Sequence, residues 1–166
     1  MYIYENTITG WFRDKIRVRD LSVMYQAMLC DDGKTFQKEL SGLLRESISY
    51  MDNGENFYHG FLLGILGNLK DYLVKSNREA GNGRYDILIR SLDVEQVPVV
   101  LELKLSETFK GMENAADAAL AQIEEKDYDG WLVEEGYTEV IRYGIAFYKK
   151  QCRVKSARRR LEDGRA

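Results

Sequence analysis

Hydrophobic and polar positions alternate most clearly between residues 76 and 105, where the pattern predicts two strands that each carry charged side chains. The second strand contains Glu102 and Lys104, separated by one leucine. Because side chains two residues apart on a strand lie on the same face, we expect Glu102 and Lys104 to project together. The flanking leucines are expected to point the opposite way into a core: Leu101, Leu103 and Leu105.

The strand before it is predicted over residues 84–90 and carries Asp86 within an apolar run. Its alternation predicts one face with Tyr85, Ile87 and Ile89, and another with Arg84, Asp86, Leu88 and Arg90. An earlier strand is predicted from Tyr72 to about Glu79, followed by a turn at residues 80–83 whose Gly and Asn residues tolerate positive φ. Three strands joined by short loops predict an antiparallel meander.

Apolar positions at three- and four-residue steps predict helices on both sides of these strands. Residues 1–52 are expected to be helical and to pack as a cap or arm. A deeply buried helix is predicted from Glu55 to about Asp71, and an alanine-rich helix from Gly111 to Lys126. The Gly33-Lys34-Thr35 triplet lacks both a preceding strand and the earlier glycine of a phosphate-binding loop, which argues against ATP binding there.

The remaining elements complete an α/β (α+β) fold with a mixed sheet flanked by helices. A short helix is predicted from Trp131 to near Gly136, then a strand over residues 140–148 in the same sheet, with a possible further strand over residues 152–154. We therefore expect one domain, and we divide the chain into three parts. They are an N-terminal helical segment (residues 1–52), a core (residues 53–155) and a basic C-terminal tail (residues 156–166).

Composition fits a globular protein, because 45% hydrophobic and 11% aromatic residues can form a core. No apolar run is long enough to span a membrane, so we expect no membrane partner. The first residues resemble no secretory signal. The two cysteines have no metal-like spacing, which indicates a reduced, cytoplasmic setting.

Charge is distributed unevenly along the chain. The net charge is −3, but residues 149–166 hold eight Lys or Arg and two acids. This basic end, which begins with Lys149 and Lys150, either attracts a phosphate backbone or forms a solvated tail. The charge pattern leaves both alternatives open.

Three further polar residues are predicted to point inward from helices. Glu55 and His59 lie four residues apart, and their shared face continues into leucines. Each is either a hydrogen-bonded core residue or a site residue. Gln122 follows a stripe of alanines, so it either bonds a backbone edge or faces Glu102 and Lys104.

Two acids and a lysine on neighbouring strands favour a divalent-metal hydrolytic site. Asp86, Glu102 and the backbone carbonyl of Leu103 would offer Mg²⁺ or Mn²⁺ the hard oxygen ligands they prefer. Lys104 would position the attacking water and stabilise charge on the phosphate. Taken alone, Glu-x-Lys is more often part of a solvated strand face, and it is the order of all the motifs that favours the site.

Four segments together resemble the PD-(D/E)XK nuclease superfamily: S-N-R-E-A-G-N-G-R-Y-D, L-E-L-K, A-L-A-Q-I-E-E-K-D-Y and Y-G-I-A-F-Y-K-K-Q-C-R-V. The resemblance is to a bacterial branch in which this domain often follows an AAA-type ATPase-like domain. It implies a restriction-endonuclease-like α-β-β-β-α-β core over residues 55–148. An ATPase-like partner domain is absent from this chain.

Residue by residue, the resemblance implies that Asp86 and Glu102 bind metal and that Lys104 and Gln122 are catalytic. Either Glu55 or His59 matches the upstream helix residue. Tyr128 is similar to the tyrosine that follows the glutamine of RecB-type members, although the spacing here is longer. The family's proline before the aspartate is replaced by Tyr85.

The expected function is therefore metal-dependent phosphodiester hydrolysis by a nuclease that acts on DNA. The candidate nucleic-acid contacts are Arg84, Tyr128, Lys149 and Lys150. One alternative is a nuclease-like binding or assembly domain with little turnover, which the acidic bulk of the chain favours. Another is an enzyme of a different class whose Glu-x-Lys is a surface ladder.

Overall fold

The computed structural model describes residues 20–47, 54–76, 85–126 and 129–162. Several predictions lie wholly or partly outside these residues: the helical segment before residue 20, the end of the first strand at Glu79, the turn at residues 80–83, the tail after residue 162, and the candidate nucleic-acid contacts Arg84 and Tyr128.

The described residues form five helices and five strands. The helices are α1 (Ser22–Leu29), α2 (Gly33–Ser47), α3 (Glu55–Leu66), α4 (Met112–Glu125) and α5 (Asp129–Glu134). The strands are β1 (Tyr72–Ser76), β2 (Ile87–Ser91), β3 (Val99–Leu105), β4 (Glu139–Tyr148) and β5 (Gln151–Arg160).

One mixed sheet has the strand order β1-β2-β3-β4-β5. The first three strands pair antiparallel, which confirms the meander, and β4 pairs parallel with β3. Helix α4 is part of the β3–β4 crossover. The register places Glu102 opposite Gly144 and Lys104 opposite Ala146. The expected α+β class with a helix-flanked mixed sheet is confirmed.

Helices cover both faces of the sheet. Residues of α1 to α3 join the main core cluster with Ile87, Leu101 and Leu103, as the alternation predicted. On the other face, Leu88 and Val100 pack in a cluster with Ile123 of α4. The two charged residues of β3 lie on this α4 face, since they alternate with the core leucines.

Two predicted orientations were wrong. Leu105 is 43% exposed because it is the last residue of β3, where packing on the strand ends. Tyr85 packs in the cluster with Leu88 instead of lying on the face of Ile87. Strand β2 begins only at Ile87, so strict alternation does not extend back to Tyr85.

Two element boundaries also differ from prediction. Helix α3 ends at Leu66 and could not extend through Asp71, whose φ of 66° lies outside the right-handed helical region. Strand β5 continues to Arg160 and so includes residues 156–160 of the expected tail, since all ten of its residues pair with β4.

The Gly33-Lys34-Thr35 triplet opens α2 after a helix, and Asp32 accepts the Thr35 N–H at 3.1 Å.

Gly144 allows α4 to lie directly against β4. A Cβ atom at this position would stand 2.3 Å from the carbonyl oxygen of Ala116 and 2.6 Å from the nitrogen of Leu120. Only glycine tolerates such a backbone approach. The close approach fixes the height of α4 above the sheet and therefore the position of Gln122, which lies further along α4.

Within the part of the chain that the structure describes, we find no helix that combines the length and the hydropathy needed to cross a membrane.

Candidate active site

Gln122 links the two charged residues of β3. Its Nε2 donates a hydrogen bond to Glu102 Oε1 at 2.6 Å, and its Oε1 accepts one from Lys104 Nζ at 2.8 Å. The helical pattern predicted that Gln122 points inward, and the strand alternation predicted that Glu102 and Lys104 share a face. In the structure these three side chains are in contact. One amide side chain holds a carboxylate and an ammonium side by side.

Asp86 joins this cluster because β2 and β3 separate beside it. The β2–β3 pairing ends at Ile87 and Leu101, and the Asp86 N–H still donates to the Leu101 carbonyl at 3.1 Å. Beyond that point the Leu103 N–H donates to Asp86 Oδ2 at 2.8 Å. The Asp86 carboxylate therefore takes the place of the missing strand partner, next to Glu102.

The Leu103 carbonyl is expected to point toward Asp86. In a strand, the N–H and C=O groups of one residue face the same neighbouring strand. Because the Leu103 N–H bonds to Asp86, its carbonyl faces the same opening between β2 and β3. The oxygen predicted as a metal ligand thus lies on the side of the carboxylates.

Burial and charge together change the acidity of Glu102, which is only 6% exposed. Its pKa rises from 4.5 to about 7, first because burial disfavours the charged form and next because the Asp86 charge lies nearby. Lys126 and Lys104 act in the opposite direction, and Glu55 adds a small further rise. Two lysines and two further acids therefore surround this carboxyl group.

The two predicted helix residues differ in their surroundings. Glu55 is the first residue of α3, is exposed, and acts electrostatically on Glu102. His59 is buried one turn further on, and its Nε2 lies 3.1 Å from the hydroxyl of Ser76 on β1. Glu55 is therefore placed within electrostatic reach of Glu102, whereas His59 contacts β1.

Lys126 is a residue near the site that the sequence analysis did not single out. It directly follows the last turn of α4, is exposed, and lowers the pKa of Glu102. The signal that would have found it is its spacing, because residues four apart on a helix share a face and Lys126 is four residues after Gln122.

Lys149 and Lys150 lie at the turn between β4 and β5. Lys104 on β3 is paired with Ala146 on β4. Lys149 and Lys150 come after the end of β4, so they lie further toward that end of the sheet than Lys104 does. The Lys149 carbonyl accepts a hydrogen bond from the Tyr58 hydroxyl at 2.7 Å, which ties the turn to α3. Both candidates therefore lie at the turn end of the sheet, outside the hydrogen-bonded group of Glu102, Lys104 and Gln122.

The donor set at the cluster fits a divalent ion that takes few protein ligands. Among residues 20–47, 54–76, 85–126 and 129–162, no three or more His, Cys, Asp or Glu side chains are grouped to hold a metal. Magnesium, however, needs only one or two carboxylates and keeps several waters. Burial is the main cause of the raised pKa of Glu102 and repulsion by Asp86 is the second, and a bound dication would offset that repulsion.

The five-stranded mixed sheet, flanked by helices and preceded by α1, α2 and α3, is consistent with a restriction-endonuclease-like fold. Residues 53–157 match the family model of the PD-(D/E)XK nuclease superfamily, and the chain belongs to that superfamily. This confirms the resemblance seen in its motifs. A comparison with curated proteins found no significant match.

Proposed function

We propose that this protein is a metal-dependent nuclease that hydrolyses phosphodiester bonds in DNA. Membership of the superfamily supports a nuclease-like role. The observation that carries the proposal is the bridge of Gln122 between Glu102 and Lys104, beside an Asp86 that binds the intervening backbone. A ladder of solvated surface charges would not include a buried acid held by the amide of Gln122.

Asp86, Glu102 and the Leu103 carbonyl are the proposed ligands of Mg²⁺ or Mn²⁺, with Glu55 as a further candidate. A bound ion of this kind supplies Lewis-acid stabilisation of charge on a phosphoryl oxygen. Hard oxygen donors of this type are those that both ions prefer.

Lys104 is the residue of this chain that would supply positive charge to the phosphate. Gln122 Oε1 accepts a hydrogen bond from its Nζ, which fixes the direction of the ammonium group. A preorganised cation of this kind stabilises the negative charge that develops on a phosphate in the transition state. The adjacent Glu102 is buried, so water is largely excluded there and the local dielectric constant is low. A low dielectric constant strengthens the attraction between the Lys104 ammonium and a phosphate.

Gln122 is a positioning residue in this proposal. Its amide has both donors and an acceptor, so it bonds a carboxylate and an ammonium at once. The rigid helix α4 carries it, and the glycine contact with β4 sets the distance from the sheet. Loss of this contact would release Glu102 and Lys104 from their common orientation.

The second candidate function is a binding or assembly domain with little turnover. The observation that favours it is the acidic balance of residues 1–148, which hold 16 Lys or Arg against 25 Asp or Glu. This candidate predicts nucleic-acid or protein binding that needs no metal and survives Asp86→Ala.

The test is a cleavage assay with Mg²⁺ and with Mn²⁺ on circular duplex, linear duplex and single-stranded DNA and on RNA. We expect cleavage of at least one DNA form, and loss of that cleavage in Asp86→Ala. Cleavage of RNA alone would overturn the assignment to DNA. Metal-independent binding without cleavage of any substrate would favour the second candidate.

A further inference from the structure

A patch of aromatic and basic side chains lies at the end of the β4–β5 hairpin. We call it the hairpin-end patch, and its members are Phe109, Lys110, Tyr148, Lys149 and Arg153. The Arg153 guanidinium carbon lies 5.4 Å from the centre of the Phe109 ring. Lys149 Nζ lies 5.2 Å from the centre of the Tyr148 ring. Phe109 is nevertheless 50% exposed.

The loop that carries Phe109 is held in place by polar contacts. The Ser106 hydroxyl donates to the Thr108 carbonyl at 2.7 Å, and the Ser106 N–H donates to the Phe147 carbonyl at 2.8 Å. The Gly111 N–H donates to Thr108 Oγ1 at 3.0 Å. The exposed ring therefore stands on a fixed loop, which is what a stacking platform requires.

The patch lies close to the proposed catalytic lysine. Lys104 pairs with Ala146 on β4, and Ala146 pairs with Arg153 on β5, so these three residues form one row across the sheet. Two strand spacings place the Arg153 backbone roughly 10 Å from that of Lys104. Met112 and Ala116 of α4 pack on Ala146 between them, so a polynucleotide would pass around the start of α4 to reach both residues.

Charge around the patch favours a single strand over a duplex. The next basic residue along the same face of β5, Lys155, is bound by Glu113 at 3.1 Å and lies 4.0 Å from Asp117. These acids of α4 are 61% and 60% exposed. A duplex laid across the patch would meet them, whereas a single strand needs only a narrow basic path and an aromatic face.

We propose that the hairpin-end patch binds single-stranded DNA that flanks the cleavage site, with a base stacked on Phe109 and phosphates near Arg153 and Lys149. The direction of the strand toward Lys104 rests on the proposed function. The binding itself can be measured without cleavage, so the two ideas can fail separately.

The test measures affinity by fluorescence anisotropy, in EDTA and in the Lys104→Ala background so that cleavage is excluded. The probes are a labelled oligothymidine and an abasic oligomer of the same length and charge. Phe109→Ala should weaken oligothymidine binding about tenfold and leave abasic binding unchanged, because it removes stacking alone. Phe109→Trp should retain the affinity, and Arg153→Ala should weaken the binding of both probes.

Two matched controls distinguish a local effect from a general one. Leu92→Ala removes an apolar side chain that is 77% exposed in the β2–β3 loop. Arg90→Ala removes a guanidinium whose carbon lies 5.8 Å from the centre of the Trp131 ring. Both should leave the affinity for oligothymidine unchanged.

The patch proposal is overturned if the parent binds neither probe, if Phe109→Ala weakens both probes equally, or if it weakens neither. It is also overturned if duplex DNA binds more tightly through the same residues. Binding that depends on Phe109 in a protein that cleaves nothing would overturn the nuclease proposal and leave the patch. Cleavage by a protein whose DNA binding does not depend on Phe109 would overturn the patch proposal and leave the nuclease proposal.

Discussion

The amide of Gln122 lies 2.6 Å from a carboxylate oxygen of Glu102, an acid that is only 6% exposed. A buried carboxyl group needs partners, and this one has a neutral donor that also accepts a hydrogen bond from Lys104. Several consequences of this contact can be measured.

Gln122→Glu keeps the size of the side chain and removes its donors. The new carboxylate would repel Glu102, so we expect cleavage to fall by about 10²-fold and the free energy of unfolding to fall by about 1–3 kcal/mol. The measurements are kcat and urea unfolding. Gln96→Glu is the matched control, because Gln96 is exposed in the β2–β3 loop. Equal behaviour of the two variants would contradict the positioning role.

Stability in metal-free buffer should fall as pH rises through the pKa of Glu102. That pKa is raised from 4.5 to about 7, so the folded state keeps this proton longer than the unfolded state does. The contribution is therefore fully present below pH 4.5 and lost as pH rises through 7. Relative to Glu102→Gln, the wild type should lose on the order of 2 kcal/mol between these limits.

Urea unfolding at a series of pH values measures this difference. Glu125→Gln provides the control, since Glu125 is exposed on the last turn of α4. Parallel pH profiles for the wild type and Glu102→Gln would show that Glu102 is not buried against Asp86 as described.

Binding of Mn²⁺ should release a proton in the same pH range. A carboxyl group with a pKa of about 7 is mostly protonated at pH 6 and must ionise to bind a cation. We expect the release of a proton at pH 6 that becomes much smaller by pH 8, because the carboxyl group is then already ionised before the ion binds. Calorimetry in buffers of different ionisation enthalpy measures it. Full proton release in Glu102→Gln would assign the proton to another group.

Gly144→Ala should damage both stability and activity. Its Cβ atom would stand 2.3 Å from the Ala116 carbonyl oxygen, so α4 must move away from β4 and carry Gln122 with it. We expect a loss of about 1–3 kcal/mol in the free energy of unfolding and reduced cleavage. Gly42→Ala on α2 is the control, because nothing lies within 4 Å of that Cβ position. A Gly144→Ala protein as stable as the control would contradict the close helix contact.

The sequence predicted those parts of the site that follow a simple period. Alternation on β3 placed Glu102 and Lys104 together and sent Leu101 and Leu103 into the core. The helical stripe of α4 predicted an inward Gln122. β3 is a buried strand of the sheet and α4 packs on the sheet. Each therefore has a buried face that repeats with the period of its secondary structure, and this period is visible in the sequence.

Features that depend on where strands end could not be predicted in the same way. The bond from Asp86 to the Leu103 backbone arises because β2 and β3 separate after Leu101, and local pattern does not encode that point. The exposure of Leu105 has the same kind of origin at the end of β3. The full length of β5 follows from pairing with β4 rather than from its own basic sequence.

The central claim is tested most directly by Lys104→Ala in a cleavage assay on circular duplex, linear duplex and single-stranded DNA with Mn²⁺ or Mg²⁺. Lys38→Ala, an exposed lysine on α2, is the matched control. Loss of one stabilising charge should lower cleavage by about 10²–10³-fold in Lys104→Ala and leave the control at the wild-type rate. Equal rates in all three proteins, or no cleavage by the wild type with either metal, would contradict the account.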